Sequence, residues 1–163
     1  MRARLIKEAR HLFGRQGYSA TSQAEICAAA EVSRGALNYH FDGKKDLFEA
    51  VVENVLSSFR DWGDDRDLRE ELEHYFRTAL DPEIFSITIR DAPAVLGIQT
   101  WRDIELAHFV EPMVARGLEP LSARMVYGAL LEATIAAFSA NDREDTISRA
   151  LLLVERIIHA WND

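Results

Sequence analysis

TSQAEICAAAEVSRGALNYHFDGK, residues 21–44, is the stretch that decides the fold. Ser22-Gln23-Ala24-Glu25 is a capping box: a small hydroxyl residue followed three positions later by a glutamate. It opens a short helix that carries Ile26, Cys27 and Ala30. Ser33 caps a second short helix, with Val32, Leu37 and Phe41 as core positions, and Asp42-Gly43 breaks it. Two short helices joined by a tight turn cannot bury their own apolar faces, so they need a scaffold on each side. Upstream, Leu5, Ile6, Ala9, Leu12 and Phe13 form one helical face, ended by Gly14 and Gly17. Downstream, Leu47, Phe48, Val51, Val52, Val55, Leu56 and Phe59 recur at helical spacing. This is the economy of a helix-turn-helix, whose first short helix crosses the DNA backbone while the second lies in the major groove.

The second short helix carries the chemistry for that task. Arg34 stands at its start, where a guanidinium can fork onto guanine O6 and N7. Gly35 and Ala36 are small enough for close approach to bases. Asn38 can pair with adenine or contact a phosphate, and Tyr39 and His40 offer polar tips. Ser22 and Ser33 are caps first, with any phosphate contact additional. His40 is open between a structural hydrogen bond and a phosphate contact. Cys27 reads as a small buried hydrophobe, since it lies on an apolar face with no second thiol.

Charge distribution agrees with the motif, although the chain as a whole carries −8. Residues 1–48 hold eight basic and five acidic side chains, or +3, and the remainder holds eleven and twenty-two, or −11. A basic head on an acidic body is the footprint of local polyanion binding. Lys44 and Lys45 sit at a helix start, against the helix dipole, which favours an external anion there. The single cysteine allows no internal disulfide, no apolar run of spanning length is evident and Met1-Arg2-Ala3-Arg4 leads into no signal-peptide core. A cytoplasmic setting without membrane partners is therefore expected.

Beyond Phe59 the apolar spacing remains helical and no strand alternation is found, so the chain reads as all-α. Trp62-Gly63-Asp64-Asp65 is the best boundary, dividing residues 1–48, with a linking helix over 44–61, from 62–163. An acidic amphipathic helix follows over 66–80. Asp81-Pro82 restarts a helix as cap and first residue, and Ala92-Pro93 and Gly97 interrupt it. The next helix runs from about 98 to 116, with Pro112 expected to kink or end it. Glu119-Pro120 opens a helix to about Ala140, and Asn141-Asp142 caps the last. That last helix is apolar on more than one stripe, through Ile147, Leu151, Val154, Ile158 and Trp161 with Leu152 and Leu153 besides. A second buried face is needed, and a two-fold homodimer through the last two helices is the expected solution.

The pattern Ala9-x-x-Leu12-Phe13-x-x-x-Gly17-Tyr18-x-x-Thr21-Ser22, then Ile26, Ala30-x-Val32-Ser33-x-Gly35-x-Leu37, then Tyr39-His40-Phe41 and Lys44-x-x-Leu47, resembles the tetracycline-repressor (TetR) family of transcription regulators. The resemblance implies an N-terminal three-helix DNA-binding domain and a C-terminal helical domain that binds a ligand and dimerises. It implies base or nearby backbone contacts for Arg34, Gly35, Ala36, Asn38 and Tyr39, phosphate contacts for Thr21, Ser22, His40 and Lys44, and a groove-edge contact for Gln23. It implies a double-stranded operator as partner, a small-molecule effector, no cofactor and no catalysis. The effector pocket is expected among the middle helices, with Tyr75, Phe85, Trp101, Arg102, His108, Phe109, Met113, Tyr127, Glu132 and Phe138 as candidate lining. Two departures stand out: Glu31 where the turn usually has glycine, and Asn38 where an aromatic residue is more usual.

Glu132 lies in the apolar run 129–138, where a buried carboxylate needs a partner. It is open between an ion pair with Arg90 or Arg102 and a ligand contact. An alternative of another class is a metal-carboxylate oxidase. Glu71-x-x-His74 and Glu105-x-x-His108 are spaced like the ligand pairs of di-iron helical bundles, and Glu132 could add a third carboxylate.

Overall fold

The computed structural model describes residues 1–60 and 68–162, so the expected boundary at residues 62–65 lies outside the described residues. Helices joined by short turns make up those residues, with no strand among them. Four helices come first: α1 (Arg2–Gln16), α2 (Gln23–Ala29), α3 (Arg34–His40) and α4 (Lys44–Ser57), the last running into a 3₁₀ turn, Ser58–Arg60. Next come α5 (Leu68–Ala79), α6 (residues 82–96), α7 (residues 98–115), α8 (Pro120–Ser139) and α9 (Arg143–Asn162).

The helix ends follow local chemistry. Ser22 accepts from the Glu25 N–H while Glu25 reaches back to the Ser22 N–H, completing the capping box. Ser33 accepts from Ala36, Asp81 from Glu83 and Ile84, Glu119 from Ser122, and Asp142 from Asp145. Gly17 ends α1 at a φ of 86°, which a side chain would resist. Gly14 does not end it. Gly14 lies inside α1, and a Cβ there would overlap the Glu83 side chain, so this glycine permits the close approach of α6.

The two internal prolines do not interrupt their helices as expected. In α6 an α segment, Pro82–Phe85, passes into a π segment, Ser86–Asp91, and back to α over Ala92–Leu96. In α7 the same order is Ile98–Glu105, Leu106–Val110 and Glu111–Ala115. A π segment precedes each proline, and just before the ring the N–H reaches back five residues: Ala92 to the Ile87 carbonyl and Glu111 to the Leu106 carbonyl. In a regular α-helix the ring would clash with the carbonyl four residues earlier and leave it without a donor. The wider π turn relieves that conflict and keeps the helix continuous.

Two compact units emerge: residues 1–58 with 81–102, and residues 59–80 with 103–163. In the first, Leu5, Ala9 and Phe13 of α1 meet Leu47, Phe48, Val51 and Val55 of α4, all fully buried, with Ile26, Leu37 and Phe41 closing the core from α2 and α3. Phe13 and Phe48 pack edge to face at 5.1 Å between ring centres. Val32 is only half-buried, because it sits in the turn between the two short helices. The segment 81–102 belongs to this unit through its own contacts to α1. Arg10 Nε donates to Glu83 at 2.6 Å, His11 Nδ1 lies 3.1 Å from the same carboxylate, and the Tyr18 N–H donates to Asp91 at 2.8 Å.

In the second unit α8 and α9 pack along their length, with α5 against α9. Leu72, Tyr75, Phe76, Val126, Tyr127, Leu130, Leu151 and Val154 are buried. By length and composition α8 is apolar enough to cross a membrane, a run the sequence reading did not count as one.

Candidate functional site

In the first unit α3 presents an outward face. Arg34, Gly35, Asn38 and Tyr39 are exposed, Tyr39 to 85%, and Ala36 and His40 are half-buried. Arg34 and Asn38 make no hydrogen bond or ion pair among the described residues. The Tyr39 and His40 rings meet edge to face at 5.1 Å. A Cβ at Gly35 would meet only the Ser33 hydroxyl, at 3.8 Å, so nothing within the chain requires a glycine there. Ser22 and Ser33 are exposed caps, and Gln23 is half-buried at the start of α2.

Two residues expected on phosphates are engaged inside the protein. The Thr21 hydroxyl is buried and donates to the Gly17 carbonyl at 2.8 Å. Lys44 Nζ donates to the Tyr18 and Thr21 carbonyls, each at 2.9 Å, and stands 4.0 Å over the Tyr18 ring. Those two bonds use two of the three ammonium N–H groups. The loop 17–21 thus turns two of its carbonyls toward the start of α4, where the Lys44 ammonium satisfies both. Glu31, at a φ of 50°, adopts the left-handed conformation that the usual glycine would take without strain. Its carboxylate pairs with Arg4 at the start of α1.

The candidate effector residues divide between the units. Phe85, Trp101 and Arg102 belong to the first, with Trp101 buried. Tyr75, His108, Phe109 and Tyr127 are buried together in the second, where Phe109 stacks on Tyr127 at 4.8 Å and Phe59 and Tyr75 pack around them. Glu105 is a buried carboxylate, 1% exposed, and accepts a 2.6 Å hydrogen bond from the Tyr127 hydroxyl. Burial pushes the Tyr75 phenol far up, its hydrogen bond with Thr134 working against that and the Glu105 charge adding to it. Phe138 is half-buried near the end of α8, beneath the Arg143 guanidinium.

Glu132 is not buried. Helical geometry turns it to the outward side of α8, away from the buried stripe Ala123, Val126, Tyr127, Leu130, Thr134 and Ala137. An apolar run alone did not reveal which face it used. Arg90, one expected partner, pairs instead with Asp91. The carboxylate that needed finding, Glu105, was visible only as half of a Glu-x-x-His spacing.

A cavity of about 230 Å³ opens in the second unit. Leu68, Leu72, Met113, Leu118, Val126, Leu130 and Ile158 line it, with Glu71 and Arg116. Of the expected lining it holds Met113 alone. The Arg116 guanidinium donates to both Glu71 oxygens, at 3.1 and 3.3 Å. With Glu71 on Arg116, Glu105 on Tyr127 and Glu132 exposed, the carboxylates of the di-iron alternative do not converge. Among the described residues no group of three or more metal-binding side chains forms.

The expected dimer residues also divide. Leu151 and Val154 are buried within the chain, Ile147 and Ile158 are half-buried, and the Trp161 side chain lies outside the described residues. Among the described residues, the large apolar side chains of α8 and α9 left exposed are Leu121, Met125, Ile135, Leu152 and Leu153.

Comparison with known proteins agrees with this geometry. Residues 5–51 match the family of bacterial regulatory proteins of the tetR type, and residues 66–161 match the tetracyclin repressor-like C-terminal domain. The regulator AcrR of Shigella flexneri is 46% identical over 52 residues, 32% of this chain and 24% of that protein. The Tn10 TetC protein of Escherichia coli is 29% identical over 109 residues, 62% of this chain and 54% of that protein. The chain thus spans from about a quarter to about half the length of these curated relatives. A TetR-family regulator from Pectobacterium atrosepticum superposes with a TM-score of 0.66 at 28% identity, over 98% of this chain and 93% of that one. The multidrug binding protein EbrR, solved with ethidium, shares the fold with a TM-score of 0.75 at 22% identity, over 96% and 97%. The helix-turn-helix at the head, the helical body behind it and two family matches that together cover most of the sequence give one answer: this chain belongs to the TetR family of DNA-binding transcriptional regulators.

Proposed function

We propose that the chain is an effector-responsive repressor that binds a pseudo-palindromic operator as a homodimer. The observation that carries this reading is the outward face of α3. Arg34, Asn38 and Tyr39 are exposed on it, and Gly35 has no packing reason within the chain. Such a face costs nothing to expose to water and gains only when base edges meet it. In this reading residues 1–48 are the reading head, with Ser22, Gln23, Ser33, Ala36 and His40 at the rim of the contact. Thr21 and Lys44 act from behind by fixing the loop between α1 and α2, and the third N–H of Lys44 remains for a phosphate. Residues 62–163 are the sensing and pairing body.

Pairing is assigned to the apolar residues that α8 and α9 leave exposed, above all Met125, Ile135, Leu152 and Leu153. Two helices from each copy would form a four-helix interface around a two-fold axis. That axis places two copies of α3 in successive major grooves, with half-sites roughly 34–36 Å apart or a multiple of it. Release follows if an effector binds one spacing of the heads better than the other.

The test is to select bound duplexes from a random pool and weigh the protein in solution by sedimentation. The expected outcome is an inverted repeat and a dimer that Leu152→Glu dissociates. A monomer, or selected sequences without symmetry, overturns the reading.

A further inference from the structure

The cavity in the second unit has one pair of charges, and they are not equivalent. Glu71 comes from α5 with a side chain only 9% exposed, whereas the side chain of Arg116, just beyond α7, is 44% exposed. The rest of the lining is aliphatic or methionine. Its 230 Å³ lies below the roughly 300–1,000 Å³ common for small-molecule sites.

We propose that this cavity takes a small organic monocation with an apolar body, whose ammonium or amidinium head replaces the Arg116 guanidinium on the Glu71 carboxylate. The inference deepens the effector-responsive reading and rests on it for its biological role. The asymmetry of burial decides the sign of the ligand's charge. A cation that takes the place of Arg116 leaves the buried carboxylate paired and removes from it only a half-exposed guanidinium. An anion on Arg116 either ejects Glu71, which would keep its charge in an apolar wall without a counter-ion, or takes other guanidinium N–H groups beside the Glu71 carboxylate and against its charge. A neutral ligand leaves the ion pair in place and gains only from the aliphatic lining. The surrounding charge points the same way: residues 59–80 and 103–163 carry seventeen acidic and nine basic side chains, so cations concentrate near this unit.

Three probes with one tail separate the cases: octylammonium, octanol and octanoate, titrated by calorimetry into the full chain at neutral pH without DNA. Octylammonium is expected to bind at least about tenfold more tightly than octanol, with octanoate weakest. Glu71→Gln should bring octylammonium to within about twofold of octanol. Arg116→Gln, at an exposed position, should strengthen octylammonium roughly two- to tenfold by removing the competing cation. Octanoate binding best, no binding by octylammonium, or weaker octylammonium binding in Arg116→Gln overturns the proposal. A second titration against the selected operator separates this proposal from the reading beneath it. If octylammonium shows the expected order yet leaves DNA affinity unchanged, the cavity assignment stands and the effector role falls. If octanol or octanoate releases DNA while octylammonium does not bind, the effector role stands and the cation falls.

Discussion

The outward face of α3 and the loop at residues 17–21 are parts of one sequence motif, yet they treat their polar side chains in opposite ways. On α3, Arg34 and Asn38 are exposed and uncommitted among the described residues. At the loop, Thr21 and Lys44 are bound to carbonyls at 2.8–2.9 Å. One motif therefore mixes exposed residues, proposed above to read DNA, with residues that hold the head in shape. Only the partner atoms tell them apart.

Substitution at Lys44 gives the largest expected effect and attacks the holding half. Lys44→Met keeps the stem but loses two charge-assisted hydrogen bonds to partly buried carbonyls, each worth about 1.5–3 kcal/mol. Since the two bonds share one ammonium, a net loss of about 2–4 kcal/mol is expected in urea unfolding. DNA binding should then weaken alike on cognate and scrambled duplexes. A variant as stable as the parent would place Lys44 with the reading residues.

Arg34→Ala probes the other half. Its stability should stay within about 0.5 kcal/mol of the parent, as for an exposed residue without partners. Its cognate affinity should fall by about 1–3 kcal/mol per half-site, with random DNA little affected. Equal losses on both duplexes would show that α3 does not read sequence.

How far the motif was legible follows from the same contrast. Caps are local, so Ser22, Ser33, Asp81, Glu119 and Asp142 could be placed from neighbours two or three positions away. The helical faces of α1 and α4 were equally readable, because their periodicity is strong and their core is close-packed. What escaped were contacts between distant residues. Lys44 meets Tyr18 across twenty-six positions, and Glu71 meets Arg116 across forty-five. Nothing in spacing distinguishes such a lysine from a solvated one. Glu132 and Glu105 reversed roles for a related reason: in an apolar helix, composition names no face, and only packing against a partner helix does so.

A smaller effect is expected at the turn between α2 and α3. Glu31→Gly removes the left-handed strain of about 1–2 kcal/mol and forfeits the exposed Arg4 pair, worth about 0.2–1 kcal/mol. A net gain of about 0.5–1 kcal/mol in stability should appear. Loss of a carboxylate beside the DNA-facing helix should also tighten binding to any sequence. A destabilised variant would show that the Arg4 pair outweighs the backbone.

The smallest effect is a pH dependence at the capping box. The Ser22 hydroxyl, with its backbone N–H and the Gln16 amide, holds the Glu25 carboxyl below the usual range. A carboxyl depressed in the folded state contributes stability above its unfolded value, and that contribution fades as pH falls through the folded one. Protection of the Ser22 amide, its exchange measured against the intrinsic rate at each pH, should therefore fall on acidification below the ordinary carboxylate range. In Glu25→Gln the amide should exchange faster already at neutral pH, without that acid step.

The π turn ahead of Pro93 has a consequence for the direction in which side chains point. A residue accommodated beyond the regular repeat turns everything after it by about 100°, one residue's share of an α-helical turn. In α6 an uninterrupted count would set Ala92 and Leu96 about 80° and 120° from Ile84, and the added residue returns both buried side chains to within about 20° of it. A helical wheel drawn straight through residues 82–96 misassigns one end or the other. The π turn ahead of the proline thus works as a phase corrector: it lets a single continuous rod keep one azimuth toward its neighbours from start to finish, where the bare sequence repeat would drift away from it.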